Sequence, residues 1–121
     1  MARLIMTVDD SASMREMVRA TLTAAGYNVI EAIDGQEALD YARDNPPCDL
    51  VISDVNMPRM DGITLVHELR SLPHYRLTPL LLLTTESSAE KKLEGKRAGA
   101  TGWIVKPFNP EQLLATMARV L

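Results

Sequence analysis

Cysteine is almost missing from this chain. Cys48 stands alone among 121 residues, so no internal disulfide can form, and one thiol cannot by itself build a structural zinc site. A reducing, cytoplasmic setting follows as the expectation. Aromatic side chains make up only 4% of the residues, and Trp103 is the sole indole. The two histidines, His67 and His74, are split between a helix and a loop and read as solvated surface residues rather than as a metal pair. Basic residues are not in excess: thirteen Lys and Arg face sixteen Asp and Glu, a formal charge of -3. No positive field is therefore available to condense on nucleic acid or anionic lipid. No apolar run approaches the length needed to span a membrane. The first one, Leu4 to Val8, is interrupted by Thr7 and runs into Asp9 and Asp10, unlike a signal-peptide core. Linkers rich in Gly, Ser or Pro and low-complexity tracts are missing too.

What is present is an ordinary globular composition, 46% hydrophobic and 24% charged, on a length suited to one domain. One domain over residues 1–121 is expected, without an output domain. Short runs rich in Val, Ile and Leu alternate with segments of helical periodicity, the pattern of a parallel sheet built from βαβ crossovers. The predicted strands are Leu4 to Val8, Asn28 to Ala32, Leu50 to Ser53, Leu80 to Thr84 and Gly102 to Val105. Four read as buried on two sides; Asn28 to Ala32 is more mixed and suits an edge.

Five helices fill the intervals. The first follows a cap at Ser11 or Ser13, carries Met14, Met17, Val18, Leu22 and Ala25 on one face, and stops at Gly26. The second covers about Gln36 to Asn45, ended by Pro46 and Pro47, and the third runs from about Gly62 to Leu72. The fourth, about Ser88 to Ala98, mixes Ala89, Leu93 and Ala98 with Lys91, Lys92, Glu94, Lys96 and Arg97, which predicts weak burial. The fifth takes Asn109 as N-cap and Pro110 as its first residue, with Leu113, Leu114, Met117, Val120 and Leu121 as its apolar stripe. The seven methionines read mostly as core filling.

In a doubly wound sheet, ligands bind at the carboxyl ends of the strands where strand order reverses. The first strand ends in Asp9 and Asp10, the third in Asp54, the fourth in Thr84 and Thr85, and the fifth in Lys106 and Pro107. Singly, each has a plainer reading: an Asp after a strand is usually a helix cap or turn former, and a terminal Lys a solvated charge. Jointly they place three carboxylates, hydroxyls and an ammonium on one edge. Two carboxylates about 4 Å apart repel by roughly 4 kcal/mol at an effective dielectric of 20, so three require a compensating cation. All the ligands are hard oxygens, which points to Mg²⁺ ahead of Mn²⁺ or Ca²⁺.

The segments VDDSASMR, VISDVNMPRMDG, LLLTTES and AGATGWIVKPF resemble the receiver-domain family of response regulators, and most of all its single-domain chemotaxis members of the CheY type. The likeness implies a flavodoxin-like α/β fold: a doubly wound five-stranded parallel sheet of order 2-1-3-4-5 flanked by five helices. It also implies the roles. Asp54 matches the phosphoacceptor, Asp9 and Asp10 the acidic metal pair, Thr84 the switch hydroxyl and Lys106 the phosphate-pairing lysine. Mg²⁺ would be held by Asp10, Asp54 and the backbone carbonyl of Asn56, with Asp9 acting through water. Trp103 falls at the switch aromatic, usually Tyr or Phe, and Asn56 and Glu86 at positions that tune water access to the acyl phosphate. The Lys106–Pro107 peptide is expected to be cis.

By the same likeness the protein is a signalling switch rather than an enzyme with a separate substrate. It catalyses its own phosphorylation and slow dephosphorylation. A chemotaxis-type histidine kinase donates the phosphoryl group, and Thr84 then draws in, making room for Trp103. This alters the face of the fourth helix, fifth strand and fifth helix, where a flagellar motor switch protein would dock. The alternatives are a phosphate sink or a regulator of another target. A monomer without nucleic-acid or membrane partners is expected. An aspartyl-phosphate phosphohydrolase wants an early nucleophile and a second Asp two residues on, but that position is Asn56. A flavin module lacks its phosphate loop after the first strand, where the acidic pair would repel the ligand.

Overall fold

Alternation of period two sorts the strand side chains onto two faces, and the helices cover both. In a computed structural model of the chain, residues 2–85 and 88–121 are described. Their order is β1 (Leu4–Val8), α1 (Ala12–Ala24), β2 (Asn28–Ala32), α2 (Gly35–Asp44), β3 (Leu50–Asp54), α3 (Gly62–Arg70), a 3₁₀ turn at Pro73–Tyr75, β4 (Leu80–Thr84), α4 (Ala89–Ala98), β5 (Gly102–Val105) and α5 (Pro110–Val120). The strands form one parallel sheet in the order β2-β1-β3-β4-β5, as expected. Strand order reverses between β1 and β3, whose register pairs Val8 with Ser53. The ends of these two strands are therefore neighbours at the switch point.

One face carries Met6, Val8, Val51, Leu80 and Leu82 and packs on Ala38, Leu39 and Ala42 of α2 and Leu65, Val66 and Leu69 of α3. The other carries Ile5, Leu50, Ile52, Leu81, Leu83 and Ile104 and packs on Val18 and Leu22 of α1 and Leu113 and Met117 of α5. Each fully buried Leu or Ile contributes roughly 1.5–3 kcal/mol of transfer free energy, so this two-sided core fixes the frame on which the strand ends sit.

Several expectations are refined. Ser11 rather than Ser13 caps α1, its hydroxyl accepting from the Met14 N–H at 3.3 Å. The third strand runs one residue further, to Asp54. The third helix stops at Arg70, and its last predicted turn gives way to the 3₁₀ segment, where the Tyr75 hydroxyl accepts from the Cys48 N–H at 3.2 Å. The fifth strand is not buried on two sides: it is the other sheet edge, and only Ile104 is buried there. Methionine is split: Met6 and Met117 are buried, Met14, Met57 and Met60 pack part-buried against the core, and Met17 stays 40% exposed. His67 is solvated as expected, whereas the exposed His74 is tied through Nε2 to the Ala42 carbonyl at 2.7 Å. The weak burial of α4 is observed, Gly95 being its one buried residue.

Candidate functional site

Four of the predicted residues meet at the carboxyl edge of the sheet. Asp9 follows β1 and is 3% exposed, and Asp54 ends β3 at 9%. Asp10 lies beside them and is open to solvent. Carboxylate oxygens of all three lie within 4.8 Å of one another. Lys106, directed inward from the end of β5, places Nζ 3.3 Å from Asp9 Oδ2 and 3.3 Å from Asp54 Oδ1. The Lys106–Pro107 peptide that precedes the turn into α5 is cis.

The oxygens are not equally committed. Asp9 Oδ1 accepts from the Ser11 N–H at 2.9 Å while Oδ2 faces the lysine, so both are engaged. The Arg15 guanidinium holds the Asp9 backbone carbonyl at 2.6 Å, fixing the acidic pair from the first turns of α1. Asp54 Oδ1 accepts from the Val55 N–H at 2.9 Å and also faces Lys106. Among the described residues, no side chain or backbone donor bonds Asp54 Oδ2 or either oxygen of Asp10. Burial pushes the Asp54 carboxyl above its ordinary range; Lys106 opposes that shift, and Asp9 reinforces it. One ammonium against three carboxylates leaves net negative charge in a partly desolvated pocket. The donor set, all hard oxygen with two uncommitted carboxyl groups, fits a divalent cation of the Mg²⁺ type.

Thr84, wholly buried at the end of β4, accepts the Lys106 N–H on its backbone carbonyl at 2.7 Å, so the threonine and the lysine sit on one connected strand pair. Asn56 lies exposed in the loop after β3. Glu86 lies outside the described residues. Trp103 is part-buried: its ring meets the space where a Gly95 Cβ would lie, at 3.0 Å, and its Nε1 is shielded from water without a hydrogen-bond partner among the described residues. The indole therefore rests against α4.

Two residues tied to the loop after β3 escaped the sequence reading. Asp34 caps α2 by accepting from the Glu37 N–H at 2.8 Å, and Glu37 in turn accepts from the Ile33 N–H at 3.1 Å. The D-x-x-E spacing of a capping box carried that signal. Arg59, which grips Asp34 from the loop after β3, had no local signal, because its partner lies 25 residues away.

A doubly wound parallel sheet with a carboxylate cluster at its switch point marks the class of α/β proteins whose ligand crevice lies at the strand ends. This chain belongs to the response regulator receiver domain family, which matches over residues 5–118. It is similar to a chemotaxis protein CheY homolog of Campylobacter jejuni, 37% identical over 97% of this chain and 91% of that one. Similarity to the response regulator MprA of a Mycobacterium species is 43% over 97% of this chain, but over only 50% of that longer protein. Among solved structures, Vibrio cholerae chemotaxis protein CheY4 superposes with a TM-score of 0.95 at 55% identity, each chain covered in full. The receiver domain of a sensor histidine kinase from Pseudomonas aeruginosa, 25% identical with a TM-score of 0.91 over 99% of this chain and 98% of that one, holds a magnesium ion in its active-site cleft.

Proposed function

We propose that this receiver domain is a cytoplasmic, phosphorylation-controlled switch whose acceptor is Asp54. The observation that carries the reading is the uncommitted Oδ2 of a buried aspartate in a pocket with surplus negative charge and one inward lysine. Asp54 attacks the phosphorus of a phosphohistidine on a partner kinase; an O–P bond forms, the N–P bond breaks, and the imidazole nitrogen leaves with the electron pair. Lys106 is placed to neutralise oxygens that gather charge as the bond transfers. Asp10, Asp54 and the Asn56 carbonyl would hold Mg²⁺, with Asp9 acting through water, and the bound ion would supply the remaining charge neutralisation. Small phosphodonors such as acetyl phosphate need only this pocket.

The phosphoryl group then gives the Thr84 hydroxyl a new partner and pulls the end of β4 inward. Because the indole of Trp103 already rests on Gly95, the response reaches α4 as a shift of a lightly buried helix over the ring, in place of a large ring rotation. The altered face of α4, β5 and α5 then docks a target. Similarity to chemotaxis proteins supports a chemotaxis-type kinase and a flagellar motor switch protein as the two partners; a phosphate sink is the second reading, supported by the same pocket.

Phosphorylation settles the central role. Incubation with acetyl phosphate and Mg²⁺ should add one acid-labile phosphoryl group by intact mass, and Asp54→Asn should abolish it. Acid-stable incorporation persisting in Asp54→Asn would mean a hydroxyl acceptor and end the proposal.

A further inference from the structure

Arg59 is the only non-glycine among the described residues with a positive φ, 65°. It is the middle of a three-residue turn closed by the Met60 N–H on the Pro58 carbonyl at 2.7 Å. A branched or long side chain pays for that conformation in steric strain, which persists only where surrounding contacts impose it. Here the contact is visible. Arg59 Nε donates to Asp34 Oδ2 at 2.7 Å and Nη2 to Asp34 Oδ1 at 3.0 Å, a two-pronged pair.

The two partners are not alike in freedom. The Asp34 side chain is 5% exposed and is already pinned as the cap of α2, whereas the Arg59 side chain is 58% exposed. Asp34 is therefore the post and Arg59 the tether. Next to it the loop leans directly on α2: a Cβ on Gly35 would lie 2.6 Å from the Met60 carbonyl oxygen. At its far end the loop is closed by the Gly62 N–H on the Val55 carbonyl at 2.8 Å, and a Cβ on Gly62 would collide with the Asp54 carbonyl oxygen. Residues 55–61 are thus fixed beside Asp54 at both ends and gripped at the crest from α2.

Asn56 sits inside that span, three residues from Arg59. Among the described residues its own side chain makes no hydrogen bond, so its position depends on the loop. We infer that Arg59 is a positioning residue for the metal pocket: its pair with Asp34 holds the strained crest and thereby aims the Asn56 carbonyl at the cation beside Asp54. The inference rests on the proposed role of Asn56. An ordinary half-exposed ion pair would stabilise little and leave the pocket unaffected.

Charge and geometry give opposite signs, which makes the test sharp. Deleting a nearby positive charge would by itself tighten Mg²⁺ binding, and deleting a negative one would loosen it. A positioning pair instead predicts loosening from either side. Calorimetric Mg²⁺ titration of the full chain is compared for the parent, Arg59→Gln, Asp34→Asn, which keeps an amide oxygen for capping, and the double variant, with circular dichroism melts reporting that each is folded. Each single change should weaken Mg²⁺ roughly three- to tenfold, less than the ten- to hundredfold typical of groups bonded directly to a metal ligand. The double variant should be no worse than the weaker single one, because the two side chains act as a unit. Arg59→Lys, which keeps the charge but not the fork, should restore only part of the loss. Unchanged or tighter binding by Arg59→Gln overturns the inference while leaving the proposed function standing. A parent that takes up no Mg²⁺ overturns both.

Discussion

Asp54 and Asp34 stand on either side of one loop, and both are nearly enclosed, at 9% and 4% exposure. Their carboxyls are nevertheless driven in opposite directions. Burial raises Asp54, with Asp9 adding to the shift and Lys106 only partly offsetting it. Hydrogen bonding from Arg59 lowers Asp34, with the backbone donors of its helix cap in support. What separates the two sites is compensation, not depth. At Asp34 one guanidinium and one helix terminus answer one carboxylate. At the strand ends three carboxylates share one ammonium, and among the described residues oxygens of Asp10 and Asp54 have no hydrogen-bond donor. A protein seldom leaves such an imbalance where it serves no purpose, since perturbed groups gather where binding or chemistry needs them.

The comparison can be pressed hardest inside the pocket itself. Asp10, whose oxygens are uncommitted, should matter more to the cation than Asp9, whose oxygens already face Ser11 and Lys106. Asp10→Ala should lower Mg²⁺ affinity by about tenfold or more and Asp9→Ala by only a few-fold, read by titration calorimetry. Equal losses would erase the distinction drawn from their partners.

A smaller effect separates the two sites by pH. Asp34, held below its ordinary value, contributes stability that is complete above about pH 4 and lost as pH falls through its folded pKa. Asp54, held above its ordinary value, takes up a proton more readily folded than unfolded. Its ionisation therefore costs stability as pH rises from about 4 through its folded pKa. In metal-free chemical denaturation, Asp34→Asn should flatten the acid limb of the stability profile, whereas Asp54→Asn should remove a decline on its alkaline side. A profile identical in both variants would show that the two carboxyls are electrostatically equivalent.

The sheet and most of the pocket were legible in the sequence for a physical reason. Runs such as Leu80 to Leu83 are buried on both faces and have no other stable home; Asp9, Asp10 and Asp54 follow such runs and Lys106 follows the apolar edge strand β5, so the strand ends alone bring them together. Helix caps at Ser11 and Asn109 are local in sequence, and each accepts a backbone N–H as its position suggests. The clamp was not legible. Arg59 lies in a loop whose left-handed turn has no glycine to announce it, and its partner is contributed by another βα unit. The edge position of β5 was missed because Trp103, Ile104 and Val105 are apolar whether or not a further strand lies beyond them. The seat of the indole was hidden too, since it depends on Gly95 having no side chain on the facing helix.

The contrast between the two aspartates reduces to one measurement, the thermal midpoint of metal-free protein at neutral pH. Neutralising Asp54 removes a carboxylate from an under-compensated cluster, so Asp54→Asn should be more stable than the parent by about 1–2 kcal/mol, on the order of 5 °C in the midpoint. Neutralising Asp34 deserts Arg59 and the strained turn, so Asp34→Asn should melt several degrees lower. Saturating Mg²⁺ should raise the parent and narrow or reverse its deficit against Asp54→Asn. Opposite signs for the two substitutions without metal are the expected result; a fall in both would mean that the acidic pocket is as fully compensated as the clamp, and its reading as a cation and phosphoryl site would lose its physical basis.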